Sequence, residues 1–451
     1  MCRMKALTNF SIGSVGRMFS SRTSGTVCKM KLIVSRSQIS GCVHAPPSKS
    51  HTHRAFLLAS LAKGESVVLS PLLGEDTLAT LSAVKALGAN VCEGDDRITI
   101  QGGNLHAPLP KGTVINCKNS GTSIRMLAGI ASRLDGTTEF TGDASLCSRP
   151  MKPLLDALSE LGAGVTSDNG CAPFTITGPV SGGDVHIRGD VSSQFISGLL
   201  ISAPLGKADT RIHLTTPLTS KPYVDMTISA MKKHGVSVET IEDGYLVRSG
   251  QVYSSEDVQV GGDYSSAAFL FAAAALAGEI AVSGLDPADP QGDQVVISIL
   301  ETFGAGVVRD GENVTIRKAA LKAADIDLAN APDLFPIIAV LASQAKGTSR
   351  LYGAAHLRFK ESDRIMSTVL FLRSMGADIS ETEDGCIVTG PANLSGANVT
   401  TFGDHRIMMA SAVAGLIADS TTTVDDAGCC AVSYPGFVKD MQKLGADMRE
   451  E

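Results

Sequence analysis

An internal repeat constrains this chain more than any other feature. A helix-like stretch ending in an apolar residue, a glycine and a small residue recurs as Leu87-Gly88-Ala89, Leu161-Gly162-Ala163, Phe303-Gly304-Ala305, Met375-Gly376-Ala377 and Leu444-Gly445-Ala446, with His234-Gly235-Val236 as a looser sixth copy. These glycines lie 69 to 74 residues apart. Each suits a left-handed helix C-terminus, and in most copies two short strands follow around a polar turn such as Glu93-Gly94-Asp95-Asp96. A second helical stretch begins near Ser50, Gly121, Ser193, Ser265, Asp333 and Asp404, at intervals of 68 to 72 residues. Stretches such as Ala267 to Ala277 and Phe195 to Leu205 are apolar or small on all faces, which marks a helix buried within a layer, whereas Pro153 to Leu161 carries charges on one side. The pattern predicts an α/β fold of six units close to β-α-β-α-β-β, three to each of two similar lobes.

The 451 residues are 43% apolar and 19% charged, an ordinary globular composition that excludes collagen, coiled coil and disorder. Against 46 Asp and Glu stand 39 Lys and Arg, and no Trp occurs, so a nucleic-acid partner, which would want positive charge and aromatic stacking platforms, is not expected. The longest apolar run, Ala267 to Ala277, is far shorter than the roughly 20 residues of a membrane span. Ten cysteines occur without any C-x-x-C pair, and the adjacent Cys429 and Cys430 make a poor bridge or metal site, so the usage fits a reducing cytoplasm and no metal is expected. No acidic residue precedes Glu65, and residues 1–29 form a basic, Ser-rich leader, a composition that organelle transit peptides share. A tail or an early start codon is the preferred reading, because Met30 to Val34 reads as a natural first strand.

Orphan N–H groups and the positive end of the dipole make a helix N-terminus an anion site, and the repeat places polar residues at those starts. Pro46-Pro47-Ser48-Lys49-Ser50-His51-Thr52-His53-Arg54 opens the first, with Ser50 expected as N-cap and Lys49 and Arg54 bracketing the opening. His51 and His53 lie two apart on a helix and diverge, which argues against a zinc pair. Asn119-Ser120-Gly121-Thr122-Ser123 opens the second, where a glycine lets an anion approach the backbone closely. Arg149-Pro150, Ser192-Ser193-Gln194 and Ser220-Lys221-Pro222-Tyr223 follow in register, then Ala331-Pro332-Asp333, Lys360-Glu361-Ser362-Asp363-Arg364 and Asp404-His405-Arg406. Lys49, Arg54, Arg149, Lys360, Arg364 and Arg406 are six cations at repeat helix starts, suited to ligands that together carry phosphates and carboxylates. Neither a P-loop nor a G-x-G-x-x-G motif occurs, so ATP and NAD have no support.

This set of motifs, in this order, resembles the 5-enolpyruvylshikimate-3-phosphate (EPSP) synthase family from about Met30 to the C-terminus. The resemblance implies an inside-out α/β barrel of the enolpyruvyl transferase type, with residues 30–46 plus 259–451 in one lobe and 47–258 in the other. It implies transfer of the enolpyruvyl group of phosphoenolpyruvate to the 5-hydroxyl of shikimate 3-phosphate, without cofactor or metal, by a cytoplasmic monomer. The acceptor would be held by Lys49, Ser50, Arg54, Ser192, Ser193, Gln194, Ser220, Tyr223, Asp333, His356 and Lys360. The donor would meet Lys49, Asn119, Gly121, Thr122, Arg149, Gln194, Arg364 and Arg406. Asp333 would take the hydroxyl proton, Glu361 or Lys49 would protonate the methylene carbon, and His405 joins them among the implied catalytic residues. Two positions depart from the family pattern: His356 stands where many members have Asn, and Val432 where many have Lys, which predicts weaker donor binding unless Lys31 or another cation substitutes.

The UDP-N-acetylglucosamine enolpyruvyl transferases share fold and donor but carry Lys-Asn at the first motif and a cysteine in a loop before the arginine; here stand Lys49-Ser50, and Cys147 lies only two residues before Arg149. A non-catalytic anion-binding homologue is the other alternative, against which Asp333, Lys360, Glu361 and Arg364 weigh. Opposed cationic helix ends further predict lobes that stay apart until anions arrive.

Overall fold

The computed structural model describes residues 30–451 apart from 104, 106 and 107; the leader at 1–29 lies outside the described residues. Six four-stranded sheets each place a parallel pair beside an antiparallel hairpin strand, as in Thr113–Asn116, Gly136–Thr141, Phe174–Gly178 and Gly164–Ser167. The chain does not fill its repeats in strict order. Ile39–His44 pairs in parallel with Gly278–Ser283 and so completes the fourth unit, while Leu32–Ser35 lies between Thr422–Val424 and Asp447–Glu450 in the sixth. In exchange, Val258–Gln259 supplies the parallel partner of Gly64–Leu69 in the first unit. Two hydrophobic cores result, one built from residues between Ala55 and Val260, the other from Leu32 to Ala45 and Tyr264 to Met448.

The helices are α1 (Lys49–Leu61), α2 (Glu75–Ala86), α3 (Gly121–Ala131), α4 (Ala144–Cys147), α5 (Lys152–Glu160), α6 (Ser193–Ser202), α7 (Lys221–Lys233), α8 (Tyr264–Ala277), α9 (Val296–Phe303), α10 (Phe335–Gln344), α11 (Arg364–Ser374), α12 (His405–Gly415) and α13 (Phe437–Lys443). Of these α1, α3, α6, α8, α10 and α12 are the inner helices; every residue of α3, α8 and α12 is buried, as their all-round apolar character predicts. Repetition extends to single bonds: Ser60, Ser132, Ser202, Ser343 and Ser411 each donate Oγ–H to the carbonyl three residues back, at 2.7–3.0 Å, near an inner helix's C-terminal end. The outer helices end as the sequence predicts, with Gly88, Gly162, Gly235, Gly304, Gly376 and Gly445 all at positive φ between 81° and 109°. Gly235 of the looser copy obeys the same geometry.

One sequence-predicted detail needs correction. Ser48, not Ser50, caps α1, its Oγ accepting from His51 N at 3.4 Å; Ser50 falls inside the first turn, two positions past the residue with the cap's extended φ and ψ. The two lobes touch in this structure: Ser220 N donates to Ala329 O at 3.1 Å, and His51 Nε2 lies 3.0 Å from Asp289.

Close helix packing positions the inner helix starts. A Cβ on Gly129 of α3 would sit 2.3 Å from the carbonyl oxygen of Gly198 in α6, and one on Gly198 would sit 2.6 Å from Arg125 O. Only glycines allow that approach, because the obstacles are backbone atoms that cannot rotate aside. Gly129→Ala is therefore expected to lower unfolding free energy by about 3 kcal/mol or more, at the upper end of overpacking costs, in denaturant titration.

Candidate functional site

Five of the six inner helix starts meet at one cleft between the two cores. Its walls are Lys49, Ser50, Gly121, Thr122, Arg125, Arg149, Ser192, Ser193, Gln194, Ser220 and Tyr223 on one side and Pro332, Asp333, His356, Phe359, Lys360, Glu361, Arg364 and Arg406 on the other, around about 740 Å³ not filled by atoms and open to solvent. Its lining is charged rather than apolar.

Each wall is built locally. Ser120 and Ser192 cap α3 and α6 through their hydroxyls, which leaves Gly121, Thr122 and Gln194 in first turns facing the cleft. Asp143 caps the short α4, Oδ1 accepting from Leu146 N at 2.7 Å, and the turn that follows delivers Arg149. Asn119 then fixes that guanidinium, accepting from Arg149 through its carbonyl oxygen at 3.1 Å and its Oδ1 at 2.6 Å. Ser220 precedes α7 at φ +54°, a left-handed conformation rare for a non-glycine residue and held here by its N–H bond to Ala329 O at 3.1 Å.

On the opposite wall Arg364, 1% exposed, bonds three carboxylates: Asp404 through Nε at 2.8 Å, Asp333 through Nη1 at 2.8 Å and Glu361 through Nη2 at 2.6 Å. Arg406 Nη2 reaches the second oxygen of Asp333 at 2.7 Å. Burial pushes the Asp333 carboxyl up, but Arg406 and Arg364 overcome it and hold the group far below the usual carboxylate range. Glu361 is likewise held well below that range, with Arg364 and Arg149 outweighing its burial. Burial lowers the Lys360 ammonium from its ordinary value, and burial together with Lys360 brings His356 down to about 4, so its ring is neutral near pH 7. His356 Nε2 lies 3.4 Å from Ser220 Oγ across the cleft.

Three predicted residues stand behind the wall instead of on it. Arg54 is fully engaged with Thr227 Oγ1, Ser50 O and Tyr223 O at 2.7–2.8 Å, tying α1 to α7. Asn119 acts on Arg149 as described. His405 is buried beside Lys49 and Glu361, and burial followed by the positive charge of Lys49 keeps its ring neutral. Lys31 is exposed at a strand end, paired through its backbone with Glu451, and is no part of the cleft.

Sequence reasoning missed Arg125, Asp76 and Asp293. Arg125 donates to Gln194 Oε1 at 2.7 Å, lies over the Phe195 ring at 5.3 Å, and is lowered by burial to about 10. An arginine one turn inside an otherwise apolar helix was the available signal. Asp76, in the first turn of α2, bonds Lys49 Nζ at 3.1 Å. The register would have found both acids, since Asp76 and Asp293 stand near outer helix starts, where Arg149, Ser220 and Lys360 stand in other units. Carboxylates partly neutralise the cationic helix starts: Asp76 pairs with Lys49, and Asp333, Glu361 and Asp404 pair with Arg364 and Arg406.

Four histidines, His53, His234, His356 and His405, have values lowered first by burial. Their contribution to stability is present above the unfolded value near 6.5 and is lost as pH falls toward the folded values, because the unfolded chain then binds more protons. Acidification from pH 7 to 5 is expected to lower the unfolding free energy, each histidine approaching about 1.4 kcal/mol per pH unit once below 6.5. Half-buried His213, whose value Asp243 and Asp184 raise, works in the opposite direction, so His213→Ala should steepen the acid loss in thermal melts across that range.

Comparison with known proteins bears on what this cleft does. Residues 33–441 match the family model described as EPSP synthase (3-phosphoshikimate 1-carboxyvinyltransferase). The chain is 43% identical over 429 residues to the 3-phosphoshikimate 1-carboxyvinyltransferase of Halobacterium salinarum, covering 93% of this chain and 99% of that protein. It is 41% identical over 426 residues to that of Methanocaldococcus jannaschii, covering 92% and 99%. Among solved structures, EPSP synthase from Acinetobacter baumannii superposes with a TM-score of 0.78 at 28% identity over 94% of this chain and 100% of that one. The enolpyruvyl transferase NikO from Streptomyces tendae, TM-score 0.74 at 17% identity over 94% and 99%, shows the shared fold. No helix among the described residues is long and apolar enough to cross a membrane.

Proposed function

The chain belongs to the EPSP synthase family, and we propose how its cleft divides the labour of that family's reaction. The reaction joins the enolpyruvyl group of phosphoenolpyruvate to the 5-hydroxyl of shikimate 3-phosphate, releasing phosphate, in aromatic amino acid biosynthesis. UDP-N-acetylglucosamine as acceptor is not favoured by these relatives. The observation that carries the assignment is the convergence of helix N-termini, Arg125, Arg149, Lys360, Arg364 and Arg406 on one cleft that also holds a half-buried carboxylate at Asp333.

Acceptor contacts fall to Lys49, Ser50, Ser192, Ser193, Gln194, Ser220, Tyr223, Asp333, His356 and Lys360, with Arg54 holding α1 and α7 in place behind them. Donor contacts fall to Lys49, Gly121, Thr122, Gln194, Arg149, Arg364 and Arg406, with Asn119 aiming Arg149; Arg125 joins them as a buried cation on the same wall. Asp333 holds the two guanidinium groups that the donor's carboxylate would take. Donor binding therefore releases Asp333 toward the acceptor hydroxyl and raises its basicity, coupling base activation to occupancy. Glu361, ionised against Arg364, has no proton to give in this arrangement, so delivery to the methylene carbon falls to the Lys49 ammonium, bonded to Asp76. His405, a neutral ring behind both, sets the local charge balance. Arg149, Arg364 and Arg406 stabilise the tetrahedral intermediate; its collapse returns a methyl proton to Lys49 as the C–O bond to phosphate breaks, which restores the enol double bond, and the proton held by Asp333 leaves with phosphate.

The division into lobes at 46/47 and 258/259 is part of this proposal, supported by the two cores and by the strand exchange there. A monomer suffices, because one chain supplies every assigned contact, and a cytoplasmic location follows the family reading.

Phosphate release from phosphoenolpyruvate should require shikimate 3-phosphate and not occur with UDP-N-acetylglucosamine; the reverse pattern, or ligand protection against heat without turnover, would refute the assignment. Val432, buried against the start of α2, removes a cation that many members carry. Val432→Lys is expected to lower KM for phosphoenolpyruvate by about tenfold, the worth of one charge-assisted hydrogen bond, in steady-state assays; an unchanged or higher KM would show that the lysine's role is met elsewhere.

A further inference from the structure

Asp293 belongs to no motif assigned above, yet its carboxyl reaches the edge of the reaction site. It lies in the helical turn Gly292–Val295 ahead of α9 and is 2% exposed. Its Oδ2 accepts the hydroxyl of Ser265, in the first turn of α8, and the hydroxyl of Tyr223, which comes from α7 across the cleft. Its Oδ1 is buried without a partner. The Tyr223 hydroxyl is 3.1 Å from Asp293 Oδ2 and 3.5 Å from Asp333 Oδ2, so two carboxylates compete for one proton donor. A phenol donates a single hydrogen, and the shorter distance gives it to Asp293.

We propose that Asp293 is a positioning residue: by holding the Tyr223 hydroxyl it keeps the ring at the acceptor site and leaves Asp333 free to accept the acceptor's hydroxyl proton. The inference rests on Asp333 as the base. The charged and titratable groups facing Asp293 are Asp333, Arg406, Asp263 and Tyr223. Burial and Asp333 raise the Asp293 carboxyl while Arg406 opposes them, and burial with the two carboxylates keeps Tyr223 protonated as a donor. Without Asp293 the phenol turns to Asp333. A hydrogen bond to the ionised form weakens that base and moves its titration to lower pH.

The test is the pH dependence of kcat and of kcat/KM for shikimate 3-phosphate in Asp293→Ala, Asp293→Asn, Tyr223→Phe and the Asp293→Ala/Tyr223→Phe pair. Asp293→Ala should lower kcat by about tenfold, the net worth of one hydrogen bond to a charged group, and shift the acid limb to lower pH. In the Tyr223→Phe background the same change should cost less than about twofold, since no phenol remains to redirect. Asp293→Asn keeps the volume and an acceptor oxygen, so its acid limb should stay in place; should the alanine variant not fold, this result carries the test. Equal losses from Asp293→Ala with and without the Tyr223 hydroxyl, or a shifted limb in Asp293→Asn, would overturn the proposal. Absence of turnover in the unaltered enzyme would instead strike the assigned reaction, so the two failures are distinguishable.

Discussion

The buried guanidinium of Arg364 is the interaction on which the cleft depends. Its three nitrogens tie together Asp404 at the start of α12, Asp333 ahead of α10 and Glu361 ahead of α11. A bare guanidinium at this depth would be prohibitive, and so would three bare carboxylates; together with Arg406 they form a charge-paired network. Removing Arg364 would leave buried acids unpaired, a loss of about 3–5 kcal/mol by the usual cost of breaking a buried pair. The same network sets the chemistry, since it fixes Asp333 and Glu361 as ionised and gives the arginines a resident anion.

Net charge alone misdescribes such a site. The chain carries −7 overall, yet its helix starts gather cations, and the cleft they form sets Lys49, Arg125, Arg149, Lys360, Arg364 and Arg406 around the acids Asp333 and Glu361. Three of the cations that await a substrate anion already have a protein carboxylate beside them: Lys49 has Asp76, while Arg364 and Arg406 share Asp333. Substrate anions then bind there by exchange, which makes the released carboxylate available for work.

Much of the fold was legible because the repeat has a local cause. Glycines at positive φ must end the outer helices, and all-apolar inner helices must be buried, so both signals survive in one sequence. The exchange of Leu32–Ser35, Ile39–His44 and Val258–Gln259 between units was not legible from periodicity, since hydrogen-bond partners hundreds of residues apart leave no local trace. In the site, cations and acids at helix starts could be read, but not which would pair with which: Lys49 meets Asp76 and Tyr223 meets Asp293 only through folding. Ser50 was misplaced by two residues as a cap because three candidate hydroxyls crowd Ser48-Lys49-Ser50-His51-Thr52, and only backbone angles decide among them.

The account's central claim is that Asp333 and the donor's carboxylate compete for Arg364 and Arg406. Calorimetric titration of phosphoenolpyruvate into Asp333→Asn, beside the unaltered enzyme and without shikimate 3-phosphate, tests it most directly. The account predicts tighter donor binding in the variant, by about tenfold for one lost charge-assisted bond, although its turnover is abolished. Weaker donor binding in Asp333→Asn would contradict it.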